Sequence, residues 1–86
     1  MRQHHNVLYI ATPGAYLHVH DAAVEVKRDG HPPARVPRHH LHAIVCIGPS
    51  TVSPPLMQIC AEEGIAIAFL SEHGRFLARV VGPQDG

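Results

Sequence analysis

The stretch Ser53–Val80, SPPLMQICAEEGIAIAFLSEHGRFLARV, holds a helix, two strands and the turn between them, and its reading decides the fold class. Ser53 is a good N-cap, and Pro54 suits the first helical position, where its missing N–H costs no hydrogen bond. Leu56, Ile59 and Cys60 then follow three-and-four spacing and make one apolar stripe, while Gly64 suits the position just past a helix end. This predicts a helix over residues 54–63. Glu62 and Glu63 stand where the helix dipole disfavours anions, at about 0.3–1 kcal/mol each. IAIAFL (Ile65–Leu70) is a continuous apolar strand. RFLARVV alternates, with Phe76, Ala78 and Val80 on one face and Arg75, Leu77 and Arg79 on the other.

Between these strands stand Ser71, Glu72 and His73, the residue types of a hydrolytic relay. A relay needs side chains converging within about 2.6–3.2 Å, and consecutive side chains diverge. Glu72-His73-Gly74 instead fits a three-residue hairpin loop closed by a left-handed glycine. No catalytic residue is expected in the chain.

Upstream, VLYIA (Val7–Ala11) ends at Pro13-Gly14, which suits the central positions of a type II turn. AYLHVH then places Ala15, Leu17 and Val19 on one face and Tyr16, His18 and His20 on the other. VEVKR alternates Val24 and Val26 with Glu25 and Lys27. These segments predict a meander of half-buried antiparallel strands. Pro32, Pro33 and Pro37 confine any strand over Ala34–Pro37 to an edge. AIVCIG (Ala43–Gly48) predicts a strand covered on both faces. The expected fold is α+β: a small, mainly-β single domain of about six or seven short strands with one helix.

A chain of 86 residues permits one domain with a thin core. Its formal charge of zero, counting histidine as neutral, carries no strong basic footprint. Cys46 and Cys60 lie in apolar runs and read as buried free thiols rather than a disulfide. The N-terminal MRQHHNVLYIA has no apolar stretch long enough for a signal peptide or membrane span, so a cytoplasmic setting is the expectation. Glycine-rich phosphate loops and carboxylate pairs suited to acid–base or two-metal work are absent from the sequence. The nine histidines offer one rival function, a stand-alone histidine-rich metal-binding β protein using His18, His20, His39, His40 and His42. Imidazoles two apart on a strand could share a zinc ion, but no Cys-x-x-Cys or His-Glu-x-x-His spacing supports them. Arg28, Arg35 and Arg38 sit in or near loops. Arg75 and Arg79 share one strand face and could meet phosphates or simply be solvated.

The ordered set of segments RVPRHHLHAIVCIGPS, SPPLMQICAEEGI and IAFLSEHGRFLARV resembles the N-terminal β domain of the CRISPR-associated spacer-acquisition integrase and endonuclease family, in its type I-like members. LYIATPGAYLHV is similar to the family's opening hairpin. The resemblance covers nearly the whole chain, taken as a single N-terminal β domain over residues 1–86. It implies a scaffold role in inserting foreign DNA spacers into the CRISPR array, a part of antiviral defence. The family's metal-dependent chemistry, with Mg or Mn held by acidic residues and a histidine, would belong to a larger helical domain that this chain lacks. No cofactor or metal ligand is therefore implied here. Implied partners are a second copy, the second CRISPR adaptation protein, and DNA. The resemblance makes Arg75 the candidate DNA neighbour, and Arg79, on the same strand face, joins it as a candidate DNA-binding residue. The hairpin bearing Ile65, Ile67, Phe69, Phe76, Ala78 and Val80 is the candidate two-fold contact. An aromatic residue that some relatives place near the DNA end is replaced here by Pro13.

Overall fold

The computed structural model describes residues 1–82, and in it the chain forms nine strands and one α-helix. They are β1 (Arg2–His4), β2 (Val7–Ile10), β3 (Ala15–His20), β4 (Ala23–Lys27) and β5 (Ala34–Pro37), followed by a 3₁₀ turn (Arg38–His40). Then come β6 (Ala43–Ile47), β7 (Ser50–Val52), α1 (Pro54–Glu62), β8 (Ala66–Leu70) and β9 (Phe76–Val80). One sheet has the order β1-β2-β6-β8-β9 and the other β5-β4-β3-β7.

The strand number exceeds the expected six or seven because two strands carry no sequence signal. β1 is polar and exposed throughout; it forms because His5 and Asn6, at φ 51° and 63°, make a tight turn onto β2. β7 lies in the Ser- and Pro-rich GPSTVSP segment and is held by parallel pairing with β3.

The meander also needs correction. β2 and β3 do not pair. Their connection turns a corner between the two sheets, so LYIATPGAYLHV is not a hairpin. The corner itself is the type II geometry expected: Ala15 N–H donates to the Thr12 carbonyl at 3.3 Å, and Gly14 takes φ 77°. β2 instead runs parallel to β6, and β6 parallel to β8, while β3, β4 and β5 form the antiparallel meander.

The inner faces of the two sheets share one core with α1. Leu8 and Ile10 from β2, Ile44 and Cys46 from β6, and Ile67 meet Leu17, Val24 and Val26 across it. Both thiols are free and buried, and burial pushes each up to about 11. α1 contributes Leu56 and Cys60 to the core. The Ser53 hydroxyl accepts the Leu56 N–H at 3.2 Å, as an N-cap should, and Glu63 caps the helix rather than ending it. Beyond β9, a Cβ at Gly82 would collide with the Ala61 carbonyl, so the chain crosses the end of α1 at backbone contact.

β6 is covered on one face only. Ile44 and Cys46 are buried, whereas Ala43, Val45 and Ile47 are half-buried on the other side. The expectation of cover on both faces fails because no described element lies over that side of the sheet.

Candidate nucleic-acid interface

β9 is an edge strand, paired only with β8, and residues 76–79 are exposed. The loop that presents it is the expected Glu72-His73-Gly74 turn, with Gly74 at φ 87°. Ser71 N–H donates to the Arg75 carbonyl at 2.7 Å and closes the loop. The Ser71 hydroxyl accepts from the His73 and Arg75 backbone N–H groups at 3.3 and 3.0 Å. The His73 ring faces Glu72 instead, 3.6 Å away and open to solvent. These three side chains stabilise a turn and do not converge as a relay.

A register shift between Phe69 and Leu70 marks a bulge opposite the start of β9. Phe76 and Leu77 are 60% and 54% exposed there, an unusual display of apolar surface for so short a strand. Arg75 and Arg79 flank them, and among the described residues no carboxylate pairs with either. Of the other proposed hairpin contacts, Ala78 is exposed, Phe69 and Val80 pack partly against the core, and Ile65 and Ile67 are core residues. The surface this hairpin offers is therefore β9 and its loop.

The remaining cations are differently engaged. Arg38 is only 7% exposed; its Nε donates to Glu63 at 3.0 Å, and its Nη1 to the Asp21 and Ala23 carbonyls at 2.6 and 3.1 Å. Glu63 thus gains a buried guanidinium that offsets its place at the negative end of α1. Arg35 Nε donates to Glu25 at 2.7 Å, and the other Glu25 oxygen accepts from His18 Nε2 at 2.7 Å. Tyr16 stacks on the His18 ring at 5.4 Å. The sequence reading missed this network, although period-two alternation puts each member on an outward face. What joins them is the pairing of His18, Glu25 and Arg35 across β3, β4 and β5.

Arg35, then burial working against it, then His18 act on Glu25, and the net effect holds its carboxyl below the usual value of 4.5. A depressed folded pKa contributes stability above the unfolded value and loses it as pH falls through the folded one. Glu25→Gln is therefore expected to be less stable than the parent at pH 7. The gap should close as pH drops below about 4.5, where the parent's own carboxyl protonates. Parallel urea titrations at pH 7 and pH 3 measure it; a gap that persists undiminished at pH 3 would show that charge is not its source.

The histidines of the metal-binding alternative divide into separate places. His18 and His20 lie on β3, the His39 and His40 rings sit tilted against each other with centroids 3.9 Å apart on the 3₁₀ turn, and His42 is exposed beyond it. Among the described residues, no group of three or more His, Cys, Asp or Glu side chains is placed to hold a metal ion. Also among them, no helix is long and apolar enough to cross a membrane.

The pattern of the family described as CRISPR associated protein Cas1 matches residues 8–86. CRISPR-associated endonuclease Cas1 1 of Chlorobaculum tepidum is 42% identical over 86 residues, covering all of this chain and 25% of that protein. The chain thus spans about a quarter of the length of the curated relatives it matches. In fold it is similar to a Cas6-RT-Cas1–Cas2 complex, with TM-score 0.83, 22% identity, and cover of 100% of this chain and 10% of that one. It is also similar to a TtCas1–DNA complex, with TM-score 0.77, 16% identity, and cover of 94% and 31%. From the extent of the family match and the relatives' alignment across the two-sheet domain, this chain belongs to the CRISPR-associated protein Cas1 family, of which it is the N-terminal β region.

Proposed function

We propose that this chain is the non-catalytic dimerisation and scaffold domain of a CRISPR-associated integrase that inserts foreign DNA spacers into the CRISPR array. The observation that carries this reading is the family match combined with an exposed edge strand, β9, flanked by Arg75 and bearing Arg79, neither of which pairs with a carboxylate among the described residues. In this reading Arg75 and Arg79 lie beside DNA phosphates, and a second copy associates along the β8–β9 hairpin through Phe76 and Ala78. Metal-dependent endonuclease and integrase chemistry, with its Mg or Mn, belongs to a helical domain outside this chain. The second adaptation protein is a further partner; a Cas1–Cas2 assembly among the similar folds supports that. A cytoplasmic location is part of the same reading.

Two measurements test it. The chain should bind a 30-base-pair duplex weakly, in the non-specific range of about 10⁻⁴–10⁻⁶ M at physiological salt. Arg75→Ala with Arg79→Ala should reduce the slope of log K against log salt by about 2, one for each lost phosphate contact. An unchanged slope would remove the DNA role from β9. Sedimentation should show dimers that Phe76→Glu dissociates; a strict monomer at high micromolar concentration would count against a dimer module.

A further inference from the structure

Apart from the β9 edge and its loop, one described surface without a role is the outer face of the five-stranded sheet. Its three central strands β2, β6 and β8 run parallel, and parallel strands are normally covered on both faces. Here α1 packs inward, its Leu56 and Cys60 in the shared core, and the outer face keeps an apolar surface of Tyr9, Val45, Ile47, Ala66, Ala68 and Leu70. Register aligns one row across the whole sheet: Arg2 opposite Tyr9, Tyr9 beside Val45, Val45 beside Ala68, and Ala68 opposite Arg79. The row is apolar in the middle and cationic at both ends. His4 adds to the Arg2 side, opposite Val7. None of the five strands carries an Asp or Glu. A 310 Å³ hollow lined by Met1, Arg2, Tyr9, Ala11 and Ile47 opens on the same side.

We propose that this face docks an amphipathic α-helix of a protein partner, with an apolar stripe bordered on both sides by carboxylates. The dimensions fit. Four strand spacings of about 4.8 Å put the arginine columns roughly 19 Å apart. A helix of about 10–12 Å diameter laid along β6 and β8 leaves room for one carboxylate–guanidinium pair on each side. Ala66 and Ala68 make a shallow floor that admits the larger side chains of a helical ridge.

A second copy fits poorly. Face-to-face stacking about a two-fold axis along the strands opposes the Arg2 column to Arg79. An axis across the strands opposes each cationic column to its own copy. Either way cations meet cations with no carboxylate between them. A nucleic-acid duplex would satisfy the arginines but would leave the apolar row against phosphates. This inference shares Arg79 with the DNA reading but otherwise rests on the β2, β6 and β8 surface and on Arg2, which the DNA and dimer reading does not use.

The test uses the ¹⁵N-labelled chain and two synthetic 18-residue helical peptides with the same Leu/Ala stripe, one flanked by Glu and the other by Lys. The Glu peptide should bind with a dissociation constant of tens of micromolar, at least tenfold tighter than the Lys peptide, and shift the amide signals of Tyr9, Val45 and Ala68. Ala68→Asp should abolish that binding. Arg2→Glu, an exposed edge change that leaves the core untouched, should weaken it three- to tenfold and carries the test if Ala68→Asp fails to fold. Equal binding of the two peptides, or shifts confined to other surfaces, would overturn the proposal. So would a 20-base-pair duplex that by itself shifts the amide signals of Tyr9 and Val45, away from Arg79, or concentration-dependent shifts there without any peptide.

Discussion

Leu17→Ala is expected to lower the unfolding free energy by about 3–4 kcal/mol, the range for truncating a fully buried leucine whose surroundings only partly collapse. Leu17 is 0% exposed at the middle of β3. It pairs with Val26 of β4 on one side and Val52 of β7 on the other, and its carbonyl accepts the N–H of the helix N-cap Ser53. Three strands of one sheet and the start of α1 therefore meet around one residue. Small domains have total stabilities of about 5–15 kcal/mol, so this loss is a large fraction of what holds the chain folded. At about 4–8 °C per kcal/mol it lowers the melting temperature by roughly 12–30 °C. Tyr16→Ala, one residue earlier on the exposed face, should cost under about 1 kcal/mol. Urea unfolding of both variants measures the contrast, and equal losses would mean that the inner and outer faces of β3 are misassigned.

Replacement of Arg38 by methionine should cost about 2–3 kcal/mol, although the new side chain matches most of the aliphatic stem. The loss arises at the head group. Nη1 is the donor to two backbone carbonyls, Asp21 and Ala23, where the chain passes from β3 to β4. Without it those oxygens remain partly shielded and unsatisfied, and a polar group left that way costs more than its bond contributed. The Glu63 partner matters less: its side chain is 41% exposed, so water can replace the guanidinium. Glu63→Gln should therefore cost less than about 1 kcal/mol. If Glu63→Gln proves as damaging as Arg38→Met, the ion pair and not the carbonyl bonds holds this corner together.

The legible parts of the fold were those written in neighbouring residues. Ser53 and Pro54 announced the helix because an N-cap and a first-turn proline act through bonds three residues away. Gly74 announced the hairpin loop because a left-handed φ is strained for other residues. Alternation along residues 15–20 separated Leu17 from Tyr16 correctly, since successive strand side chains point to opposite faces. Within the candidate site, this local grammar placed Arg75 and Arg79 beside a turn and turned Ser71 from a nucleophile into a loop brace.

Other features depended on partners far along the chain. β2 and β6 pair through Val7 and Ala43, and β3 and β7 through Ala15 and Ser50, separations that no periodicity encodes. For that reason the sequence does not reveal β7, its local pattern places β2 in one meander with β3, and it does not show that Ile65 and Ile67 are buried in the core. The cluster of His18, Glu25 and Arg35 arises the same way, from three strands brought into register. So does the row from Arg2 to Arg79. Local residue patterns specify the helix, the turns, the inward face of β3 and the family. Which strands share a sheet, and which apolar face is left open, is settled by packing in three dimensions. Local propensities act over a few residues, whereas sheet order is selected by how distant apolar faces combine into one core.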